Sequence, residues 1–137
     1  MRGVSPRFSW ENDALATLLV IEDEAPLRAN LVRLLTAEGY QVITAANGDE
    51  GIRRARADRP DLVICDILMP LVDGYGVLAT LRSQPETAAT PFIFLTASAD
   101  KDDLERGLQS GANDYVTKPF KIADLLAAIK RRLPAGG

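Results

Sequence analysis

Few residues in this 137-residue chain have the types and spacing that chemistry requires. An acidic run, Glu22-Asp23-Glu24, follows the apolar stretch Leu18 to Ile21. Asp66 follows a second apolar stretch, Leu62-Val63-Ile64-Cys65. Thr96-Ala97 follows a third, and Thr117-Lys118-Pro119 a fourth. Carboxylates of Asp23 and Asp66 brought to one place would repel unless a positive charge lay between them. A Mg²⁺ ion suits such a place, because it takes hard oxygen ligands, keeps several waters and favours a few carboxylates together with a phosphate. Glu22 could hold a metal-bound water, and Lys118 could neutralise the acids or pair with a phosphoryl oxygen. An ionised carboxylate is itself a nucleophile toward phosphorus and needs no base. Phosphoryl transfer asks for in-line positioning and neutralised oxygens, which a metal, an ammonium and a hydroxyl supply.

Each piece has a plainer reading when taken alone. The acidic run could be a solvated turn favouring the start of a helix, Asp66 an Asx turn or cap, Thr96 a strand-end hydroxyl and Lys118-Pro119 an ordinary turn. The joint reading depends on the elements that carry them. Five short apolar segments, Leu18–Ile21, Val42–Ala45, Leu62–Cys65, Phe92–Leu95 and Asp114–Thr117, have the length and composition of buried strands. Between and after them lie helical patterns over about Ala25–Glu38, Asp49–Ala57, Gly74–Arg82, Lys101–Ser110 and Ile122–Leu133. Pro26 suits a first helical turn, Asn47 can cap the second helix, and Gly39 and Gly111 stop the first and fourth. This βα alternation predicts an α/β fold: a mostly parallel sheet with right-handed crossover helices. In doubly wound sheets ligands bind at the carboxyl ends of the strands. Every chemically capable residue above falls at such an end, on one edge of the sheet.

Composition narrows the function. Apolar residues make up 47% and charged residues 26%, ordinary for a globular domain. The net charge is −3, so the basic excess of a nucleic-acid-binding surface is missing, and the segment Arg53-Arg54-Ala55-Arg56 reads as one solvated helix face. There is no histidine, which excludes histidine base catalysis, histidine metal ligation and a phosphohistidine on this chain. The single cysteine, Cys65, reads as a small core hydrophobe. One cysteine, no export signal and no membrane-length apolar run point to the cytoplasm and away from the membrane. Residues 1–16 read as a flexible extension, with docking of Phe8 and Trp10 on the domain as the alternative, residues 17–133 as one domain, and 134–137 as a tail or linker.

The sequence resembles the response-regulator receiver family of two-component signalling, the CheY-like proteins. Leu18-Leu19-Val20-Ile21-Glu22-Asp23-Glu24 is similar to the family's opening strand and acidic pair. Asp61-Leu62-Val63-Ile64-Cys65-Asp66-Ile67-Leu68-Met69-Pro70 with Asp73-Gly74 is similar to its phosphoacceptor segment, Phe94-Leu95-Thr96-Ala97 to its fourth strand, and Gly111-Ala112-Asn113-Asp114-Tyr115-Val116-Thr117-Lys118-Pro119-Phe120 to its closing motif. The resemblance implies a flavodoxin-like (βα)5 fold with parallel strands in the order 2-1-3-4-5. It implies Asp66 as phosphoacceptor, with Thr96 and Lys118 on the phosphoryl group. Mg²⁺, or Mn²⁺ or Ca²⁺ in its place, would be bound by Asp23 and Asp66, by Glu22 through water and by the backbone carbonyl of Leu68. It further implies Thr96 and Tyr115 as a switch pair and a cis Lys118–Pro119 bond. The implied partners are a histidine kinase or histidine phosphotransfer protein upstream and an output domain or another protein downstream. A homodimer through the fourth helix, fifth strand and fifth helix is left open. Such a chain would be a signalling module that promotes only its own phosphorylation and dephosphorylation, with no nucleic-acid contact of its own. Leu68, two residues past Asp66, cannot orient a hydrolytic water, so self-dephosphorylation is expected to be modest.

Three rivals are weaker. A Mg²⁺-dependent phosphohydrolase commonly has a second aspartate two residues past its nucleophile, where this chain has Leu68. A flavodoxin-type cofactor binder would want a glycine- or hydroxyl-rich phosphate loop after the first strand, where Glu22-Asp23-Glu24 has the wrong charge. A receiver fold used only for docking would not need the full set of acids, hydroxyl and lysine.

Overall fold

The computed structural model describes residues 16–97 and 100–134. Phe8 and Trp10 lie outside the described residues, as do residues 135–137 of the tail. Five strands, β1 (Thr17–Ile21), β2 (Gln41–Ala45), β3 (Leu62–Asp66), β4 (Phe92–Thr96) and β5 (Asp114–Thr117), form one sheet in the order β2-β1-β3-β4-β5. All four neighbouring pairs are parallel. Helices α1 (Ala25–Ala37), α2 (Gly48–Asp58), α3 (Gly74–Arg82), α4 (Lys101–Gln109) and α5 (Ile122–Arg132) complete the expected (βα)5 arrangement.

Side-chain alternation along each strand splits the core in two. Leu18, Val20, Leu62, Ile64, Ile93, Leu95 and Val116 face α1 and α5, packing on Leu31, Leu35, Leu125 and Ile129. Leu19, Ile21, Val63, Cys65, Phe92 and Phe94 face the other way, onto Ala55, Val77, Leu78 and Leu81. The strands are therefore covered on both sides, which explains their unbroken apolar character. Cys65 is fully buried, as its neighbours predicted.

The helix ends follow local chemistry. Asn47 accepts from the Glu50 amide at 2.8 Å and caps α2, so that helix starts one residue earlier than its pattern indicates. Gly39 follows α1 at φ 97° and Gly111 follows α4 at φ 109°, the left-handed conformation glycine adopts at low cost. The arginines of α2 point outward, Arg53 paired with Asp49, Arg54 with Asp58 and Arg56 with Glu86, while Ala55 is buried between them.

Two strands run one residue further than the sequence pattern indicates. Asp66 is the last residue of β3, opposite Leu95, and Thr96 the last of β4, opposite Thr117. The parallel ladder continues through a polar residue because its backbone groups pair regardless of side chain. The segment from Ser83 to Thr90, read from sequence only as a polar loop, is tied down by Arg82. Its guanidinium donates to the carbonyls of Thr90 at 2.8 Å and Gly111 at 3.0 Å and to Asn113 Oδ1 at 3.1 Å.

At the start of β5, Asp114 accepts from Arg131 at 2.9 Å, from Arg132 at 3.3 Å and from the Tyr115 amide at 2.9 Å. Burial alone would raise this carboxyl, but the three hydrogen bonds outweigh it and hold it below its ordinary 3.8. A depressed carboxylate stabilises the fold above its unfolded pKa, and that contribution is lost as pH falls through the folded value. Asp114→Asn should therefore cost about 1 kcal/mol at pH 7, the small figure reflecting half-exposed arginines. Urea unfolding of the two proteins should converge below about pH 4.

Candidate functional site

The same alternation that divides the core builds the site. Glu22 extends the row of Leu18 and Val20, Asp66 extends that of Leu62 and Ile64, and Lys118 extends that of Val116. Three charged side chains thus leave three strands toward one side of the carboxyl edge. Thr96 extends the row of Phe92 and Phe94 and stands on the other side of its strand. Glu22 is fully buried, while Asp66 and Thr96 are 6% and 2% exposed.

Lys118 Nζ lies 3.2 Å from Asp66 Oδ2 and 3.3 Å from Glu22 Oε1. Its backbone amide donates to the Thr96 carbonyl at 2.7 Å, fixing where the side chain begins. The Lys118–Pro119 bond is cis, as expected. Carboxylate oxygens of Glu22, Asp23 and Asp66 lie within 4.8 Å of one another. Burial pushes the Glu22 carboxyl up to about 7; the Glu24 amide and Lys118 oppose that rise and Asp66 adds to it. Burial would lower the Lys118 ammonium, but Asp66 and Glu22 outweigh it and hold it above its ordinary value.

These residues fit a small hard cation. Among the described residues Glu22 and Asp66 share a single lysine, so three acids face one ammonium. Asp23 Oδ1 is buried and has no hydrogen-bond partner among the described residues. An orphaned buried carboxylate oxygen is costly unless a cation or water completes it. A cluster made only of oxygen donors, near one cation, has the ligand chemistry of Mg²⁺, Mn²⁺ or Ca²⁺ and not of a soft transition metal.

The loop after Asp66 is held by a close backbone approach. Gly74 N donates to the Ile67 carbonyl at 2.8 Å, and Asp73 Oδ1 caps α3 through the Gly76 amide at 2.9 Å. A Cβ on Gly74 would stand 2.5 Å from the Asp66 carbonyl oxygen and 2.8 Å from Ile67 Cα, both backbone atoms. Gly74→Ala should then cost about 2–3 kcal/mol of stability by overpacking, read as a lower denaturation midpoint. Leu71 sits in this loop at φ 68°, fully exposed, and Leu68 is 69% exposed. An open cavity at Leu68 is lined also by Asp73, Tyr75, Thr96, Asp103 and Arg106.

Tyr115 lies opposite Phe94 in the β4–β5 register, one alternation before the Thr96–Thr117 pair. It is half-buried against the second core and borders a narrow apolar cleft lined by Ile67, Phe94, Leu104, Gly107 and Leu108. Tyr115 and Thr96 therefore share a face of neighbouring strands. The structure also shows two residues at the site that the sequence reading passed over. Arg28 of α1 donates to the Glu22 carbonyl at 2.8 Å. Tyr75 stacks edge-on with Phe94 at 5.3 Å, beneath the Arg106 guanidinium at 4.1 Å from its ring centre. The sequence signal for Arg28 was only its place one turn after the acids.

Comparison with known proteins agrees with this geometry. The family model described as response regulator receiver domain matches residues 18–130. The transcriptional regulatory protein PrrA of Mycobacterium tuberculosis is 39% identical over 120 residues, covering 88% of this chain and 51% of PrrA. The phosphate regulon transcriptional regulatory protein PhoB of Rhizobium meliloti is 42% identical over 119 residues, covering 87% of this chain and 52% of PhoB. The chain thus spans about half the length of the curated relatives it matches. Among solved structures, chemotaxis protein CheY4 of Vibrio cholerae superposes with a TM-score of 0.83 at 31% identity, covering 87% of this chain and 99% of that one. The receiver domain of sensor histidine kinase PA1611 from Pseudomonas aeruginosa, with a magnesium ion in its active-site cleft, gives 0.78 at 35% identity, covering 86% and 97%. Among the described residues no helix is long and apolar enough to cross a membrane. With the five-stranded order, the acidic edge and a family match over most of its length, this chain belongs to the response regulator receiver domains of two-component signalling.

Proposed function

We propose that Asp66 is the phosphoacceptor and that Asp23 and Asp66, with Glu22 through a water and the Leu68 carbonyl, hold Mg²⁺. The observation that carries this reading is the convergence of Glu22, Asp23 and Asp66 within 4.8 Å, beside Lys118 at 3.2 Å from Asp66. The bound ion would neutralise phosphoryl oxygens during transfer. Asp66 attacks the phosphorus, forming an acyl phosphate as the bond to the donor nitrogen of a phosphohistidine breaks. Lys118 then exchanges its resting contact with Asp66 for one with a phosphoryl oxygen. Thr96 moves toward the new dianion and Tyr115 turns into the space released, altering the α4–β5–α5 face. Two pre-existing states shift in population.

The donor is a histidine kinase or a histidine phosphotransfer protein. An apolar groove lined by Leu27, Leu34, Pro119, Phe120 and Ile122 runs up to Lys118 and supplies a docking surface beside the site. The relatives' names favour transcriptional control as the output, exerted through an attached domain or a downstream protein. Residues 17–133 act as the receiver unit, with 134–137 read as a tail or linker. A homodimer through α4, β5 and α5 would have to share Arg131 and Arg132 with Asp114 of the same chain.

The test is direct. With Mg²⁺ and acetyl phosphate, intact mass should rise by one phosphoryl group, and with EDTA it should not. No mass shift in either condition would reject the reading. Leu68, exposed and apolar, offers no hydrogen bond to an attacking water. Leu68→Asn should therefore speed loss of the phosphoryl group severalfold, measured by the decay of label; an unchanged decay rejects the role given to this position.

A further inference from the structure

Arg28 lies one helical turn after the acidic run Glu22-Asp23-Glu24. An arginine so placed would ordinarily fork onto a carboxylate. This one does not: among the described residues it is paired with no acid, and its Nη1 donates to the main-chain carbonyls of Glu22 at 2.8 Å and Asp23 at 3.5 Å. The carboxylate oxygens are left to other ligands, and Asp23 Oδ1 has none among the described residues.

The segment Glu22 to Glu24 is fastened at few points. Glu22 N donates to the Ala45 carbonyl at 3.1 Å, Glu24 N donates to Glu22 Oε2 at 3.1 Å, and Arg28 N donates to the Glu24 carbonyl at 2.9 Å. The carbonyls of Glu22 and Asp23 lie outside the β-ladder, and Arg28 is the side chain that holds them. Turning either peptide plane would carry the Asp23 carboxylate with it.

We infer that Arg28 is a positioning residue that sets the site's preference for Mg²⁺ over Ca²⁺ by fixing the backbone that bears Glu22 and Asp23. This rests on the reading that those acids hold a divalent ion. The physical basis is a difference in tolerance. Mg²⁺ demands near-ideal octahedral geometry at short distances, whereas Ca²⁺ accepts longer, irregular coordination. A loosened Asp23 therefore costs Mg²⁺ more than Ca²⁺. The charge of Arg28 works in the opposite sense, since a nearby cation repels both ions alike. Removing the charge alone would tighten both, and removing the positioning would weaken Mg²⁺ selectively.

The experiment is an amide-NMR titration of the chain with Mg²⁺ and, separately, Ca²⁺. Parent, Arg28→Met, Arg28→Lys and Asp23→Asn are compared, with circular dichroism as the check on folding. Arg28→Met should weaken Mg²⁺ binding about ten-fold, the usual loss for a residue supporting metal ligands. Ca²⁺ binding should change much less. Arg28→Lys, which can still donate to one carbonyl, should recover part of the Mg²⁺ affinity and selectivity. Unchanged or tighter Mg²⁺ binding by folded Arg28→Met, or an equal loss for both ions, overturns the inference. If Arg28→Met does not fold, Arg28→Lys decides: parent-like affinity for both ions overturns the inference, and selective weakening of Mg²⁺ upholds it. A parent that binds no Mg²⁺, or an Asp23→Asn that binds it as the parent does, overturns the metal-site reading beneath it.

Discussion

Asp66→Asn is expected to accept no phosphoryl label from acetyl phosphate, a fall of about 10⁴-fold or more, as is usual when a covalent nucleophile is removed. The amide has the carboxylate's shape and lacks its nucleophilic charge. The fold should survive, because Asp66 closes β3 with backbone bonds that the substitution leaves alone. One of three converging acids is also removed, so Glu22 and Asp23 face less repulsion and Lys118 keeps Glu22 at 3.3 Å. Stability without metal should therefore equal or exceed that of the parent, and stabilisation by Mg²⁺ should shrink. Intact-mass spectrometry and thermal unfolding with and without Mg²⁺ measure both. Parent-level labelling of the variant would show that the phosphoryl group goes elsewhere.

That outcome separates the receiver reading from a docking-only module, which would show the same fold and no labelling even in the parent. A phosphohydrolase would turn over phosphate esters catalytically instead of retaining one phosphoryl group. Leu68, at 69% exposure where a second acid would stand, offers no proton to a leaving group. Nor does the chemistry of the edge suit a flavin phosphate, since Glu22, Asp23 and Asp66 would repel it.

The edge was legible because a parallel α/β sheet converts sequence order into spatial order. Once each apolar run is a strand, the residue after it must stand at the same rim, and Glu22, Asp66, Thr96 and Lys118 are those residues. Strand alternation then decides which side each takes, and the separation of Thr96 from the other three could have been counted from Phe92 and Phe94. Contacts made from outside that register were not legible. Arg28 and Arg82 act on carbonyls far away in sequence or through the loop geometry, and nothing in the pattern of apolar residues distinguishes such arginines from solvated ones. Gly74 was visible as part of a motif. Its reason, a carbonyl 2.5 Å from where a Cβ would be, needs coordinates.

Lys118→Met carries the second large effect, and it is first a matter of charge. Lys118 is the cation between Glu22 and Asp66, whose side chains are 1% and 7% exposed. Methionine keeps the length of the stem and removes the ammonium, leaving two buried acids with no counter-ion. Breaking a buried pair in this way costs about 3–5 kcal/mol, and proton uptake by one of the acids returns part of it. The domain without metal should thus unfold at lower urea than the parent, most clearly at alkaline pH, where the acids must stay ionised. For the parent the sign is fixed by the raised Lys118 value: its stabilisation is complete below the ordinary 10.5 and is lost as pH climbs through the higher folded value. Mg²⁺ supplies the missing charge, so it should bind the variant more tightly and restore most of its stability. The same substitution should slow labelling by acetyl phosphate, because the phosphoryl oxygens lose a partner that the ion does not replace. Tighter Mg²⁺ binding with slower labelling is a combination that general damage to the fold does not produce. A variant as stable as the parent in EDTA would mean that the lysine does not hold the acids together, and the charge balance drawn for this edge would fail.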